Sequence, residues 1–425
     1  MRLLIGSWRR SLTSAAALAG VAAGVATVAG DLTSGVALAG TAAGLATVAA
    51  ALTAAVSLSG SSAGVASTTA SLTASWSISY GSMSFSRASQ GSYYTSAPTD
   101  GTSSFISVAS NNVLRTDNRG DGAGSLTLIE GARTNSLPDG RAFDNNGFTS
   151  SGTPTITANA GPSPDGATNA ERAQLSTNQN RYRGGMGTGC LSAFARAVSG
   201  TTAWQVSAGG NPAVGTTSLS TTYLRQAIYG NTGGFALYAD AFDRSAGGGI
   251  AASAEDIYID FMQFESGARF PSTPIGTNGS TITRSADTLT LAQASVTPAL
   301  FTEKGRFAQL SPLFASSDLV SGDVFWLLSI GGSSNGIRIR HDGANVLVEA
   351  VAGGTVKATS QAQTFSRDAL LGAVAWDPAG GVVYVNGVAG VAGTSWSWSA
   401  ADIRVGGIYG GSSEAFCRFG ALESW

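Results

Sequence analysis

A 20-residue period near the N-terminus constrains this chain more than any other feature. Leu12-Thr13 returns as Leu32-Thr33, Leu52-Thr53 and Leu72-Thr73. Gly20, Gly40 and Gly60 keep phase with it, as do Gly24, Gly44 and Gly64. Leu18, Leu38 and Leu58, and Val25, Leu45 and Val65, hold two further apolar positions. A unit this short cannot bury its own apolar face, so a fixed period implies stacking on neighbours. Alanine content favours helix. The glycine pairs and apolar positions two apart, such as Val36 with Leu38, favour short strands with tight corners. A rung of a β-solenoid and one layer of an intertwined trimer both satisfy the period. We expect a β-rich, trimeric stalk over residues 12–78, whose narrow side chains suit a thin shaft.

Two other readings of this stretch are weaker. Arg9 and Arg10 ahead of an Ala/Leu/Val run resemble a secretory leader, but the pattern continues through three periods without a stop, so cleavage is not expected. The run from Leu12 to Gly30 is long enough for a membrane helix. Its hydrophobicity is modest, and Asp31, Thr33 and Ser34 interrupt it, so no membrane span is expected.

Length allows two or three domains. Charged residues make up only 12% of the chain and Gly accounts for 57 of 425 residues. With β-branched and aromatic residues still frequent, that balance belongs to turn-rich β structure and not to disorder. The net charge of −2, without a basic block, argues against a nucleic-acid partner, which needs clustered Lys and Arg to displace counterions. Arginine outnumbers lysine 22 to 2, a bias expected from codon usage in a GC-rich genome. Cys190 and Cys417 each sit in an alternating apolar context, so they are expected as buried small side chains and not as a bridge. No metal-ligand spacing occurs, and no cofactor is expected.

A seam organises the rest of the chain. Ile257, Ile259 and Phe261 alternate with Tyr258, Asp260 and Met262, the period of a strand. Pro271 and Pro274, which cannot donate to a ladder, then stop it. Alternation resumes over Ile282–Leu291. The seam separates a β-module at 141–283 from another at 284–425, and a connector at 79–140 precedes both. In the first module Leu191, Ala193 and Ala195 share one face, with Ser192, Phe194 and Arg196 on the other. In the second, Asp342-Gly343, Asp377-Pro378 and Asn386-Gly387 mark turns, the last being the strongest hairpin signal. Both modules read as antiparallel sandwiches, making the chain mainly β.

Certain phrases carry a resemblance. Phe85, Arg87, Ala88 and Ser89 open a segment that closes on Leu128, Ile129, Glu130, Ala132, Arg133, Thr134 and Asn135. Gln263, Phe264, Glu265, Gly267, Pro271 and Pro274 close the first module. These resemble segments of bacteriophage tail and fibre proteins, and the module resembles the carbohydrate-binding-like jelly rolls of the same proteins. Val383-Tyr384-Val385-Asn386-Gly387, with the ending Phe419, Gly420 and Leu422, resembles the laminin-G-like or concanavalin-A-like lectin sandwich. The resemblance implies a virion appendage, a homotrimeric tail fibre or receptor-binding protein. It would dock on other tail or head proteins through an anchor at residues 1–11 and attach to bacterial surface polysaccharide. A structural head fibre, decoration or tail component is the alternative, and a polysaccharide depolymerase is a weaker one.

No catalytic residue is expected, and hence no enzyme. Glycan hydrolysis on a lectin-type sandwich needs two carboxylates flanking a cleft, but Glu349, Glu414 and Glu423 stand alone. His341, the only histidine, has no Ser or Cys motif beside it for a triad. Trp396 and Trp398 lie two apart and share a face. Exposed, they would form a sugar platform or touch a neighbouring subunit; buried, they would fill the sandwich. With Arg340 and His341 they are the candidate glycan-binding residues. Trp204, Tyr223, Tyr229 and Tyr238 are expected as core aromatics. Asp342, Asp377 and Asn386 offer loop oxygens suited to calcium, without a liganding spacing. Glu130 and Arg133 are expected in a buried structural ion pair, and Trp425 at a core or interface.

Overall fold

The computed structural model describes the backbone of 16–23, 26–32, 36–43, 46–52, 56–59 and 66–72. It describes 83–425 except 121–123, 146, 210–213, 231–234, 294–298, 303, 408–415, 421 and 425; the side chains of 83, 235–236, 299–300 and 423–424 are also outside the description. The anchor expected at 1–11 and Trp425 lie outside the described residues. Met1–Ser79 and Tyr80–Trp425 are two compact units.

Each 20-residue repeat supplies two strands. Ala16–Ala23, Val36–Ala43 and Val56–Ser59 form one parallel sheet, and Ala26–Leu32, Ala46–Leu52 and Ala66–Leu72 another. The register is one full period. Leu18 faces Leu38, which faces Leu58, while Leu32 faces Leu52, which faces Leu72. Each rung therefore takes its backbone partners from the next rung of the same chain, as in the solenoid alternative. Parallel strands need a crossover, and the strand of the other sheet serves as that crossover. Alanine's preference for helix is a weak prior, and it yields here to a ladder in which equivalent positions stack.

The first sandwich faces two five-stranded antiparallel sheets. One runs Thr149–Ser151, Asn180–Gly184, Phe235–Asp240, Thr202–Ala208, Val214–Leu219; the other runs Thr155–Gly161, Ala170–Leu175, Glu255–Ser266, Gly189–Ala197, Leu224–Gly230. Leu191, Ala193 and Ala195 enter the core between the sheets with Trp204, Tyr238, Ile257 and Ile259. Phe194, on the opposite face, joins Tyr94, Phe105, Tyr223 and Phe261 in a second core.

The seam strand departs from its expected alternation. Phe261 has φ +47°, and the register with the neighbouring strand shifts between Ser192 and Phe194. This bulge sends Phe261 to the second core and Met262 and Phe264 to the first. An extra residue in a ladder exchanges the faces of everything after it.

The second sandwich pairs a seven-stranded sheet with an eight-stranded one. The former runs Thr355–Thr359, Val346–Ala352, Gly336–His341, Val324–Ile330, Ile403–Val405, Thr288–Leu291, Met83–Ser86. The latter includes Arg115–Asp117, Leu126–Ile129, Cys417–Phe419, Gly305–Pro312, Gly372–Asp377 and Val382–Val385. Strands from the stretch read as a connector thus complete both sheets, with Leu128 and Ile129 inside the common core. Asn386 and Gly387, at φ +53° and +77°, make the two-residue turn between Val382–Val385 and Val388–Ala389. Such a turn matches the twist of its strands.

A buried ionic cluster ties the seam down. Glu130 accepts from Arg115 Nη1 at 2.8 Å, from Thr273 N at 2.7 Å and from Thr273 Oγ1 at 2.6 Å, and it pairs with Arg284 Nη1 at 3.1 Å. Asp287 pairs with Arg115 and with Arg87. All five charged side chains are at most 2% exposed. Burial opposes the Glu130 charge, but Arg284, Arg115 and the Thr273 bonds outweigh it and bring the carboxyl down to about 2. The expected Glu130–Arg133 pair does not form. Arg133 lies 3.5 Å from Glu265 and over the rings of Phe416 and Phe270.

Candidate functional site

A cleft opens where the connector, the seam and both sandwiches meet. It is small, about 60 Å³, partly open to solvent, and is lined by Tyr94, Arg119, Arg225, Ser272, Arg367 and Asp368, with Ala227, Pro271 and Leu313 as its apolar parts. Tyr94 ends the hairpin strand Gly91–Tyr94. Arg119 follows the strand Arg115–Asp117. Arg225 lies on Leu224–Gly230, an edge strand, opposite Phe194. Arg225 and Ala227, two apart on that strand, turn the same face to the cleft.

The three guanidiniums are held differently. Arg119 donates to Asp117 at 2.8 Å, pairs with Asp368 and lies 4.4 Å over the Tyr94 ring. Burial works against its charge, but Asp368 and Asp117 more than compensate, so its proton is held more tightly than usual. Arg367 Nη2 reaches both oxygens of Asp318, at 3.1 and 3.2 Å. Arg225 has neutral partners, Ser272 O at 2.6 Å and Ser192 Oγ at 3.0 Å, and its plane lies 5.6 Å from the Phe194 ring. Burial pushes the Tyr94 hydroxyl up, with Arg225 and Arg119 opposing, so at neutral pH it is an uncharged phenol.

Among the described residues Asp368 is the one carboxylate lining the cleft. Its φ of +60° is left-handed, a region that Asp tolerates better than most residues at a cost of about 1 kcal/mol. Its N–H donates to Pro312 O at 3.0 Å, and its carbonyl accepts from Ser311 Oγ at 3.1 Å and Arg418 Nη2 at 3.0 Å. Those bonds hold the strained backbone and aim the carboxylate at Arg119. Strain kept in place by its surroundings is common where a ligand is clamped.

The residues singled out in the sequence lie elsewhere. Trp396 and Trp398 are 8% and 3% exposed. Their segment lies outside any strand. Both indoles pack together in the second sandwich's core, where Trp398 donates to Val351 O at 2.7 Å and its ring meets Trp376. Ser395, Ser397 and Ser399 take the exposed side. The pair therefore fills the sandwich and offers no open platform; the large apolar area of each indole is buried, although only Trp398 has a partner for its N–H and that of Trp396 has none among the described residues.

Arg340 and His341 share a half-exposed strand end and do not meet the tryptophans. Arg340 is 3.5 Å from Glu349, which also holds Arg338 at 2.7 Å. His341 Nδ1 accepts from Gly343 N at 3.1 Å. Trp204, Tyr223 and Tyr238 are buried, whereas Tyr229 is 45% exposed and not core. Asp342 caps its own turn through Ala344 and Asn345. Asp377 bonds Gly380 N and pairs with Lys304 at 3.4 Å. Cys190 and Cys417 are buried free thiols, both pushed up by burial.

Apart from Pro271 of the closing phrase, the residues lining the cleft carry no signal of their own in the sequence. They come from Tyr94 to Asp368, and no motif joins them. The arginine excess was the one available signal, and codon usage absorbed it. In the fold these side chains make multiple bonds and ring contacts that a lysine ammonium cannot reproduce.

No family model and no curated protein matches the chain. Among solved structures it is similar to the N-terminal CBM22-1-CBM22-2 tandem domain of Xyn10C from Paenibacillus barcinonensis, at 10% identity and a TM-score of 0.21, covering 68% of this chain and 98% of that one. A TM-score this low supports no argument about either fold or ligand.

Proposed function

We propose that the chain is a phage virion appendage, a tail fibre or receptor-binding protein, whose Tyr80–Trp425 unit attaches to bacterial surface glycan. The observation that carries the reading is the cleft at the meeting of the modules, a concave site where polar groups converge beside a smaller apolar patch. Phage-like phrases surround it. Arg87 and Glu130 of those phrases hold the seam, and Pro271 lines the cleft. In this reading residues 1–11 and the repeats form the particle-proximal part. Three copies in a homotrimer multiply weak single-site sugar contacts.

The reading is non-enzymatic. Hydrolysis of a glycan calls for two carboxylates across the bond, and among the described residues Asp368 is the one carboxylate lining the cleft. Full-length protein screened on a panel of bacterial surface polysaccharides should bind at least one without releasing reducing ends. Binding to none of them, with the protein seen only against other virion proteins in a particle reconstruction, favours the structural alternative. Release of reducing ends favours a depolymerase.

A further inference from the structure

We infer that the cleft recognises an acidic sugar, a uronate or a sialic-type acid, by pairing its carboxylate with Arg225. The inference rests on the glycan-binding reading and narrows it to a chemical class. Charge balance in the cleft supports it. Arg119 faces two carboxylates, Asp117 and Asp368, and Arg367 faces Asp318. Among the described residues no carboxylate pairs with Arg225. Its terminal nitrogens donate once each, to Ser272 O and Ser192 Oγ, which leaves each a second N–H, and its buried Nε–H has no acceptor among the described residues. The nearest acid along this chain of bonds is Glu265. That carboxylate is bonded to Ser272 N and Oγ at 2.9 and 2.7 Å and is shared with Arg133.

A half-buried guanidinium with neutral partners attracts an anion, and its planar fork fits a carboxylate. The two protein bonds and the Phe194 ring fix the fork's orientation in advance, which lowers the entropic cost of capture. Around it, the Asp368 carboxylate offers an acceptor for sugar hydroxyls, and Ala227, Pro271 and Leu313 offer apolar contact for a ring's C–H face. The space is small, about 60 Å³, well under that of a site that swallows a whole ligand, so it would take the carboxylate-bearing edge of one sugar and leave the rest of the polymer outside.

The test uses full-length protein and immobilised polygalacturonate, hyaluronan and polysialate, each beside its carboxyl-reduced form, together with neutral dextran and a phosphate-bearing teichoic acid. The expected result is binding to at least one carboxylated polymer and at least tenfold weaker binding to its reduced form. Arg225→Ala should weaken the acidic interaction at least tenfold. Arg225→Lys, which keeps the charge without the fork, should fall between them, and it guards against misreading a folding defect. Thermal midpoints of both variants report whether they fold. Equal binding to acidic and reduced forms, binding only to dextran or teichoic acid, or full affinity in a folded Arg225→Ala protein overturns the carboxylate inference and leaves glycan attachment standing. Binding to no polymer in the set overturns the inference. Failure on the broader surface-polysaccharide panel as well overturns the attachment reading.

Discussion

Glu130→Gln isolates the buried cluster that holds the seam. The substitution keeps the shape and an acceptor oxygen for Thr273 but removes the charge facing Arg115 and Arg284. In the wild type three arginines face two carboxylates; the variant leaves three facing Asp287 alone. A carboxyl held at about 2 instead of its ordinary 4.5 corresponds to about 3 kcal/mol of preference for the ionised form in the folded state. That agrees with the roughly 3–5 kcal/mol seen when one member of a buried pair is removed. A unit the size of Tyr80–Trp425 has an unfolding entropy near 0.7 kcal/mol/K, so the midpoint should drop by about 4 °C. Scanning calorimetry at neutral pH measures it. The pH dependence has a fixed sign. Because the folded value is depressed, the stabilisation is full above pH 4.5 and disappears as pH falls towards about 2. The gap between wild type and variant should therefore close on acidification. An unchanged midpoint at neutral pH, or a gap that widens in acid, would refute the account of Glu130 as the ionised centre of the cluster.

Trp398→Ala should cost about 3–5 kcal/mol by opening a cavity beside Trp376 and Trp396, and a chemical denaturation curve should show it. Glycan affinity measured well below the variant's melting point should not change, because the indole has no open face. Glu171 is pushed up to about 8, by burial first and then by Asp144, so the folded state holds a proton that the unfolded chain releases near 4.5. Stability from this group is full below about pH 4.5 and lost as pH rises through about 8. Glu171→Gln should flatten the decline of the thermal midpoint with rising pH over that window; an identical slope in both proteins would contradict the assignment. Gly406→Ala places a Cβ 2.4 Å from Ile129 Cγ2 at φ +73°, so it should lower the thermal midpoint. The left-handed backbone alone costs about 1–2 kcal/mol, and an unchanged midpoint would count against the packing of 126–129 on the second sandwich.

The β character of this chain was readable directly. Alternation, glycine corners and the Asn386-Gly387 turn are local signals, and local hydrogen bonding and φ preferences act on them without help from distant residues. The period of 20 residues required stacking for the same kind of reason, and the parallel register of Leu18 on Leu38 on Leu58 follows it. Whether Trp396 and Trp398 face water was undecidable from their spacing, because period two says that two side chains share a face but not which face is covered. Phe261 shows the same limit, since one left-handed residue exchanges the faces that follow it. The strands at 83–86 and 126–129 look like parts of a linker until their partners, Thr288–Leu291 and Cys417–Phe419, are brought beside them. The cleft lies furthest from what any window of sequence can hold. Tyr94, Arg119, Arg225 and Asp368 converge only after both sandwiches have closed and the ionic cluster at Glu130 has locked the seam, because an arginine's role depends on which carboxylates the fold brings within reach.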